Sequence, residues 1–221
     1  MAYREKLQPD QFYHVYNHAV GNEDLFKSHD NYEYFIEKTI RYILPVADMY
    51  SYCLMKNHFH FLLKIKSQSF LEEFFHRQIS RIFKQKFLSH SPQQIPTGSD
   101  LTLFKEIIIN HYVTKQFSDF FSCYAQSFNK MYDRKGSLFL ESFERKLVDS
   151  NDYFRQLVLY IHCNPVTHGF VNRPEEWAYS SYPAILFNAP TFVKRLELIS
   201  QFDSFNNFVF NHNELVEPIH R

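Results

Sequence analysis

The run His58-Phe-His-Phe-Leu-Leu-Lys-Ile65 limits the folds open to this chain more than any other stretch. Phe59, Phe61, Leu63 and Ile65 alternate with His58, His60, Leu62 and Lys64. Side chains two apart on a strand share a face, so this is a strand with one apolar face that demands a cover. Asp48 to Met55 reads as the strand before it, joined through a tight turn at Lys56-Asn57. Phe12 to Val20, rich in aromatic and β-branched residues, reads as a first strand.

Helical stretches fall between these strands. Asp30 can cap a helix carrying Tyr34, Phe35, Ile40, Ile43 and Leu44, with Pro45 as its stop. Phe70 to Leu88 has helical spacing of Phe75, Ile79, Ile82 and Phe83. Ser89 to Asp100 is the one clear linker, and helix resumes from about Leu103 to Tyr132, in one piece or two. Leu138 to Val148 reads as a fourth strand. Asp149 to Asp152 then supplies caps for a helix from Tyr153 to Asn164, which Pro165 is expected to end. The order strand-helix-strand-strand-helix-strand is the split βαβ plan. It predicts an α+β fold, a four-stranded antiparallel sheet with helices on one face.

Composition removes several function classes. Only 4 glycines are present and no nucleotide-binding loop pattern occurs, which argues against a phosphate loop. Three cysteines without paired spacing argue against a disulfide framework or a cysteine zinc site. No apolar run reaches the roughly 18 residues of a membrane helix, and the polar start lacks a signal-peptide pattern. A reducing cytoplasm is the expected location. With 24 basic and 24 acidic side chains, the formal net charge of zero does not suit a protein that coats duplex DNA. Local basic clusters do occur. Arg77, Arg81, Lys84 and Lys86 form one, and Lys130 and Arg134 belong to another. Each is either a phosphate track or a solvated helix face.

His58 and His60 can converge on one ion from the polar face of their strand, and on that face they are expected to lie outside the core. The competing reading is two surface histidines on an exposed sheet. On the following helix Phe154, Leu157, Val158 and Ile161 form the core stripe. Tyr160 lies beside that stripe, with Asn164 four residues on, so a phenol and an amide project together. Position alone leaves Tyr160 open as a nucleophile or as one more rim aromatic among 15 tyrosines.

Five ordered segments carry a more specific signal. They are Tyr13-His-Val-Tyr-Asn17, Met55-Lys-Asn-His-Phe-His-Phe-Leu-Leu63, Ser127-Phe-Asn-Lys-Met-Tyr-Asp-Arg-Lys-Gly-Ser-Leu-Phe139, Tyr160-Ile-His-Cys-Asn-Pro-Val-Thr-His-Gly-Phe-Val171 and Trp177-Ala-Tyr-Ser-Ser-Tyr182. Together they resemble the single-tyrosine HUH transposases, nearest the REP-associated tyrosine transposase branch. The resemblance implies a ferredoxin-like HUH endonuclease fold and a divalent metal, magnesium or manganese. His58 and His60 match the two histidine ligands, Asn164 the third ligand and Tyr160 the nucleophile. It further implies metal-dependent cleavage and strand transfer of single-stranded DNA, often beside a hairpin, through a 5′-phosphotyrosine.

Three features depart from the pattern: a long helical insertion at about 67–117, a C-terminal extension at 187–221, and Leu140, Ser142 and Glu144 where many members carry polar or basic residues. The expected organisation is one domain over 1–186 with the extension packed on it. Zinc is the chemical alternative to magnesium or manganese. A homodimer, a non-catalytic DNA-binding or regulatory protein, a hydrolytic metallonuclease and a protein-binding module remain alternatives at this point.

Overall fold

The structure, a computed structural model, describes residues 5–87, 98–140 and 143–216. Four strands, β1 (Phe12–His18), β2 (Ala47–Leu54), β3 (His58–Ile65) and β4 (Glu144–Val148), form one antiparallel sheet in the order β2-β3-β1-β4. That order is the split βαβ arrangement expected from the element pattern. Helix α1 (His29–Lys38) crosses from β1 to β2. Between β3 and β4 run α2 (Gln68–Phe74), α3 (His76–Phe87) and the 33-residue α4 (Ser99–Met131).

The apolar face of β3 is covered as its alternation requires. Phe35 of α1 lies 5.2 Å from Phe59 and 4.8 Å from Phe120 of α4, ring to ring, and Phe121 stacks on Phe59 at 5.7 Å. Large rings fill this layer in edge-on, tilted and stacked contacts. Phe35 is fully buried at its centre. Phe35→Ala is therefore expected to cost about 3–5 kcal/mol in urea denaturation, and a loss below about 1 kcal/mol would contradict this packing.

The opposite face is covered too, and here the expectation of helices on one face fails. The two crossover helices do share a face, but α5 (Asn151–Thr167), which follows β4, lies across the other. Its Phe154 meets Phe12 at 5.2 Å and Tyr50 at 5.7 Å, and Leu157, Val158 and Ile161 are buried. His58 (4% exposed) and His60 (3% exposed) lie beneath this helix, so they are not on an open polar face.

Element boundaries shift for identifiable reasons. The helix expected to start at Asp30 begins at His29 after Ser28, and Asp30 falls in its first turn. The helix expected over 70–88 is two, divided at the buried Phe75. The fourth strand pairs only from Glu144; before it, Phe139 makes an isolated bridge with Ala19, and residues 141–142 lie outside the described residues. The linker expected from Ser89 lies outside them up to residue 97. Pro165 does not end α5. A proline in the last turn removes one helical hydrogen bond without preventing the following turn. The stop is Gly169, at φ +70°, with its N–H donating to the Val166 carbonyl and the Phe170 N–H to the Pro165 carbonyl. That is a Schellman closure, and it keeps Asn164 inside regular helix in register with Tyr160.

In the C-terminal segment Tyr182 of α6 (Tyr182–Leu186) meets His162 of α5, α7 (Arg195–Ser200) packs on β2 and α8 (Phe205–Val216), and α8 packs on α5. Before them, Leu54 donates to the Tyr179 carbonyl and Ser181 to that of Tyr52, which covers the open edge of β2. A buried polar chain fixes α8. Ser181 Oγ stands 2.8 Å from His162 Nε2, His162 Nδ1 2.9 Å from His212 Nε2, and His212 Nδ1 2.7 Å from the Phe208 carbonyl. One proton per ring satisfies every link when His212 donates to Phe208, His162 to His212 and Ser181 to His162.

Burial pushes His212 down to about 4, against the hydrogen bond to Phe208, and burial beside His212 pushes His162 well below its ordinary value. The folded chain thus keeps both rings neutral, whereas the unfolded chain takes up protons near pH 6.5. Stability from this pair is complete above about pH 6.5 and is lost as pH falls from there toward 4. The loss is up to about 1.4 kcal/mol per pH unit for each ring. Chemical denaturation at about pH 7.5 and about pH 5 measures it, and equal stability at the two would contradict the neutral chain. No helix among the described residues is long and apolar enough to cross a membrane.

Candidate active site

The hairpin between β2 and β3 places the first histidine. Met55 donates to the His58 carbonyl across the two-residue turn, Ala19 donates to the Asn57 carbonyl, and Leu25 and Phe26 both donate to that of Lys56. These bonds hold the turn from outside, so His58 starts β3 at a fixed height. Registry then sets His60 opposite Tyr16 and His58 opposite His18, with all four side chains on the face under α5. From above, α5 brings Tyr160 and Asn164 down one side of its core stripe.

His58 lies between two amide oxygens. Its Nδ1 is 2.8 Å from Asn57 Oδ1 and its Nε2 is 3.1 Å from Asn164 Oδ1. Burial pushes its pKa down to about 4, with the Asn164 contact opposing and His18 and His168 reinforcing the shift. At neutral pH the ring therefore carries one N–H for two acceptors. Assigned to the shorter contact, the proton makes Nδ1 donate to Asn57. The Nε2 lone pair then faces the Asn164 oxygen, while Asn164 Nδ2 is buried without a hydrogen-bond partner. Turning the amide over would let Nδ2 donate to Nε2. In the orientation observed, a cation between nitrogen and oxygen relieves the opposition.

The spacing suits such an ion. Two ligands at the ~2.1 Å of a magnesium shell stand about 3 Å apart when at right angles. His60 is the neighbouring histidine that would complete such a set. Its Nε2 is 3.5 Å from the Tyr160 hydroxyl, its ring centroid 5.1 Å from that of His58, and its Nδ1 3.0 Å from His14 Nε2. Burial, with the neighbouring histidines, pushes His60 well below its ordinary value, so it too is neutral. Neutral imidazoles keep the lone pair a metal needs. Among the described residues no three His, Cys, Asp or Glu side chains converge as ligands, and the third donor at this site is an amide oxygen. Such a set fits a metal that retains water and takes oxygen readily better than the closed tetrahedral shell of structural zinc.

Tyr160 is 49% exposed and stands at the mouth of a cleft of about 500 Å³. His14, Tyr16, His18, Lys146, Tyr153 and Gln156 line that cleft with it. Lys146, on β4 opposite His14, extends over the Tyr153 ring at 4.9 Å. Lys146 belongs to the second basic cluster of the sequence, while His14, Tyr16 and His18 are not among the residues expected at the site. The signal was available: His14, Tyr16 and His18 alternate as His58 and His60 do, and antiparallel pairing of β1 with β3 brings the two series together. His168, just past α5, meets His58 edge to face at 5.3 Å.

The basic residues anticipated as a phosphate track lie elsewhere. Arg77, Arg81 and Lys84 are exposed on α3, which follows from the end of β3 opposite His58, about 23 Å along the strand. The Lys86 side chain lies outside the described residues. Lys130 is exposed in the last turn of α4. Arg134 is held by the protein itself: its guanidinium donates to Asn129 Oδ1, Gly136 O and Ser137 O and pairs with Glu23 at 3.3 Å.

No protein-family model matches this chain, and no curated protein matches it. Among solved structures it is similar to that of a REP-associated tyrosine transposase bound to a REP hairpin. The two share 14% identity over 87% of this chain and 89% of the other, at a TM-score of 0.48.

Proposed function

We propose that this protein is a metal-dependent single-strand DNA transposase in which Tyr160 cuts and rejoins DNA through a 5′-phosphotyrosine. The observation that supports this reading best is the convergence of Tyr160 Oη, His60 Nε2, His58 Nε2 and Asn164 Oδ1 under one helix beside an open cleft. The ordered motifs of the sequence point the same way. His58, His60 and Asn164 would hold one magnesium or manganese ion. When bound, that ion supplies positive charge to the non-bridging oxygens of the scissile phosphate.

The chain's own residues do the remainder. Tyr160, on a rigid helix, presents its oxygen to phosphorus from the cleft side. As the Tyr160 O–P bond forms, the phosphorus–O3′ bond breaks and the phenolic proton passes through solvent to the departing 3′-oxygen. The phosphodiester is exchanged rather than hydrolysed, so a second 3′-hydroxyl can reverse the step without a nucleotide cofactor. Tyr16 and Tyr153 offer faces on which an unpaired base can stack. Lys146 supplies the cation nearest the reacting phosphate. Arg77, Arg81, Lys84, Lys86 and Lys130 are assigned to backbone further along a hairpin substrate, while Arg134 secures the loop after α4. The test is incubation with hairpin-flanked single-stranded oligonucleotides and manganese. A covalent protein–DNA band that disappears with chelator is expected, and cleavage without any such band would contradict the proposal.

A further inference from the structure

We infer that His14 is a positioning residue for this site: by accepting the Nδ1 proton of His60, it fixes the tautomer that leaves the His60 Nε2 lone pair facing Tyr160 and the cleft. The inference rests on the metal-and-tyrosine reading above.

The contact is well defined. His14 Nε2 is 3.0 Å from His60 Nδ1, and both residues are buried. A pair of neutral imidazoles can share only one proton across such a contact, so two settings exist. In the first, His60 Nδ1–H donates to His14, and His60 Nε2 carries a free lone pair. In the second, His14 Nε2–H donates to His60 Nδ1, and the proton of His60 sits on Nε2, where it blocks coordination. Only the first setting can bind a metal, and it requires an acceptor at the position of His14.

The fold keeps that acceptor in place. β1 is bonded to β3 on one side and β4 on the other, so its backbone is fixed along both edges. His14 lies one residue pair along the same face from the Tyr16–His60 pair, the diagonal position from which a ring reaches its neighbour. Its ring also lies 4.6 Å from Tyr16 and meets Tyr160 edge-on at 6.3 Å, which limits rotation. Without His14, the Nδ1–H of His60 would be buried with no partner, a costly state that a turn of the ring would relieve by moving Nε2. Metal-binding histidines generally hand their second N–H to a carboxylate, carbonyl or water. An imidazole in that role adds no negative charge, so His60 stays a weak donor suited to reversible binding of a divalent ion.

Manganese titration of the full chain, by calorimetry or electron paramagnetic resonance, tests this. His14→Leu, which removes the acceptor and keeps bulk, is expected to weaken manganese binding roughly 10–100-fold, and His14→Gln, which restores an acceptor oxygen, to recover most of it. Imidazole ¹⁵N shifts of the wild-type chain with magnesium give a readout independent of variant folding: His60 should be protonated at Nδ1 and His14 unprotonated at Nε2. Unchanged manganese affinity in His14→Leu, or a proton on His60 Nε2 in the magnesium-bound chain, would overturn the role of His14 alone. A His60→Ala chain that binds manganese as tightly as wild type would instead overturn the metal reading.

Discussion

Tyr160→Phe is expected to reduce the covalent protein–DNA adduct to background while leaving the melting temperature unchanged. The substitution removes one oxygen from a half-exposed ring whose hydrogen-bonding contact among the described residues, to His60 Nε2, is long at 3.5 Å. Surface changes of this kind alter stability by no more than about 0.5 kcal/mol. The chemical effect is total because no other oxygen on α5 occupies that place. Tyr16 and Tyr153 line the same cleft and are the natural internal controls. Phenylalanine at either keeps the stacking ring and should leave the adduct in place, whereas leucine at either should lower DNA affinity through lost stacking without abolishing it. Adduct that persists undiminished in Tyr160→Phe would transfer the nucleophile to another residue and remove the central assignment.

The second large effect is expected from His58→Ala and His60→Ala. Each should lower manganese-dependent cleavage by about 100-fold or more, since loss of a direct ligand exceeds the 10–100-fold typical of its supporting shell. These changes also carry a stability cost that must be separated from the chemistry. His58→Ala takes the donor from Asn57 Oδ1, which is exposed and open to water, whereas His60→Ala leaves the buried His14 Nε2 without its partner. An orphaned buried group costs about 1–3 kcal/mol. Melting curves therefore accompany the kinetics: a folded variant with wild-type cleavage contradicts the metal site, whatever its stability.

Much of this architecture is legible in local pattern. Strict alternation marks β3, the Lys56-Asn57 turn sets the hairpin, and helical spacing places Tyr160 beside Asn164. What local pattern cannot carry is coverage from a distance. His58 and His60 share a polar-looking face, yet α5, about 100 residues later, buries it, and burial is what keeps both rings neutral. His14 and His18 were hidden for a related reason: their proximity to the site arises from β1–β3 pairing, not from their own neighbours in sequence. Pro165 is the stronger sequence signal for the helix end, but Gly169 makes the bonds that close the turn. The basic run on α3 springs from the end of β3 opposite His58, whereas Lys146, which follows Arg145 on β4, stands in the cleft.

Peptide mapping by mass spectrometry, after reaction of the wild-type chain with a hairpin-flanked oligonucleotide and manganese, tests the account most directly. A nucleotide joined through a 5′-phosphate to Tyr160 is expected, absent when metal is chelated and absent in His60→Ala. Cleaved DNA with no modified peptide, or a modification on Tyr16 or Tyr153 instead, would contradict it.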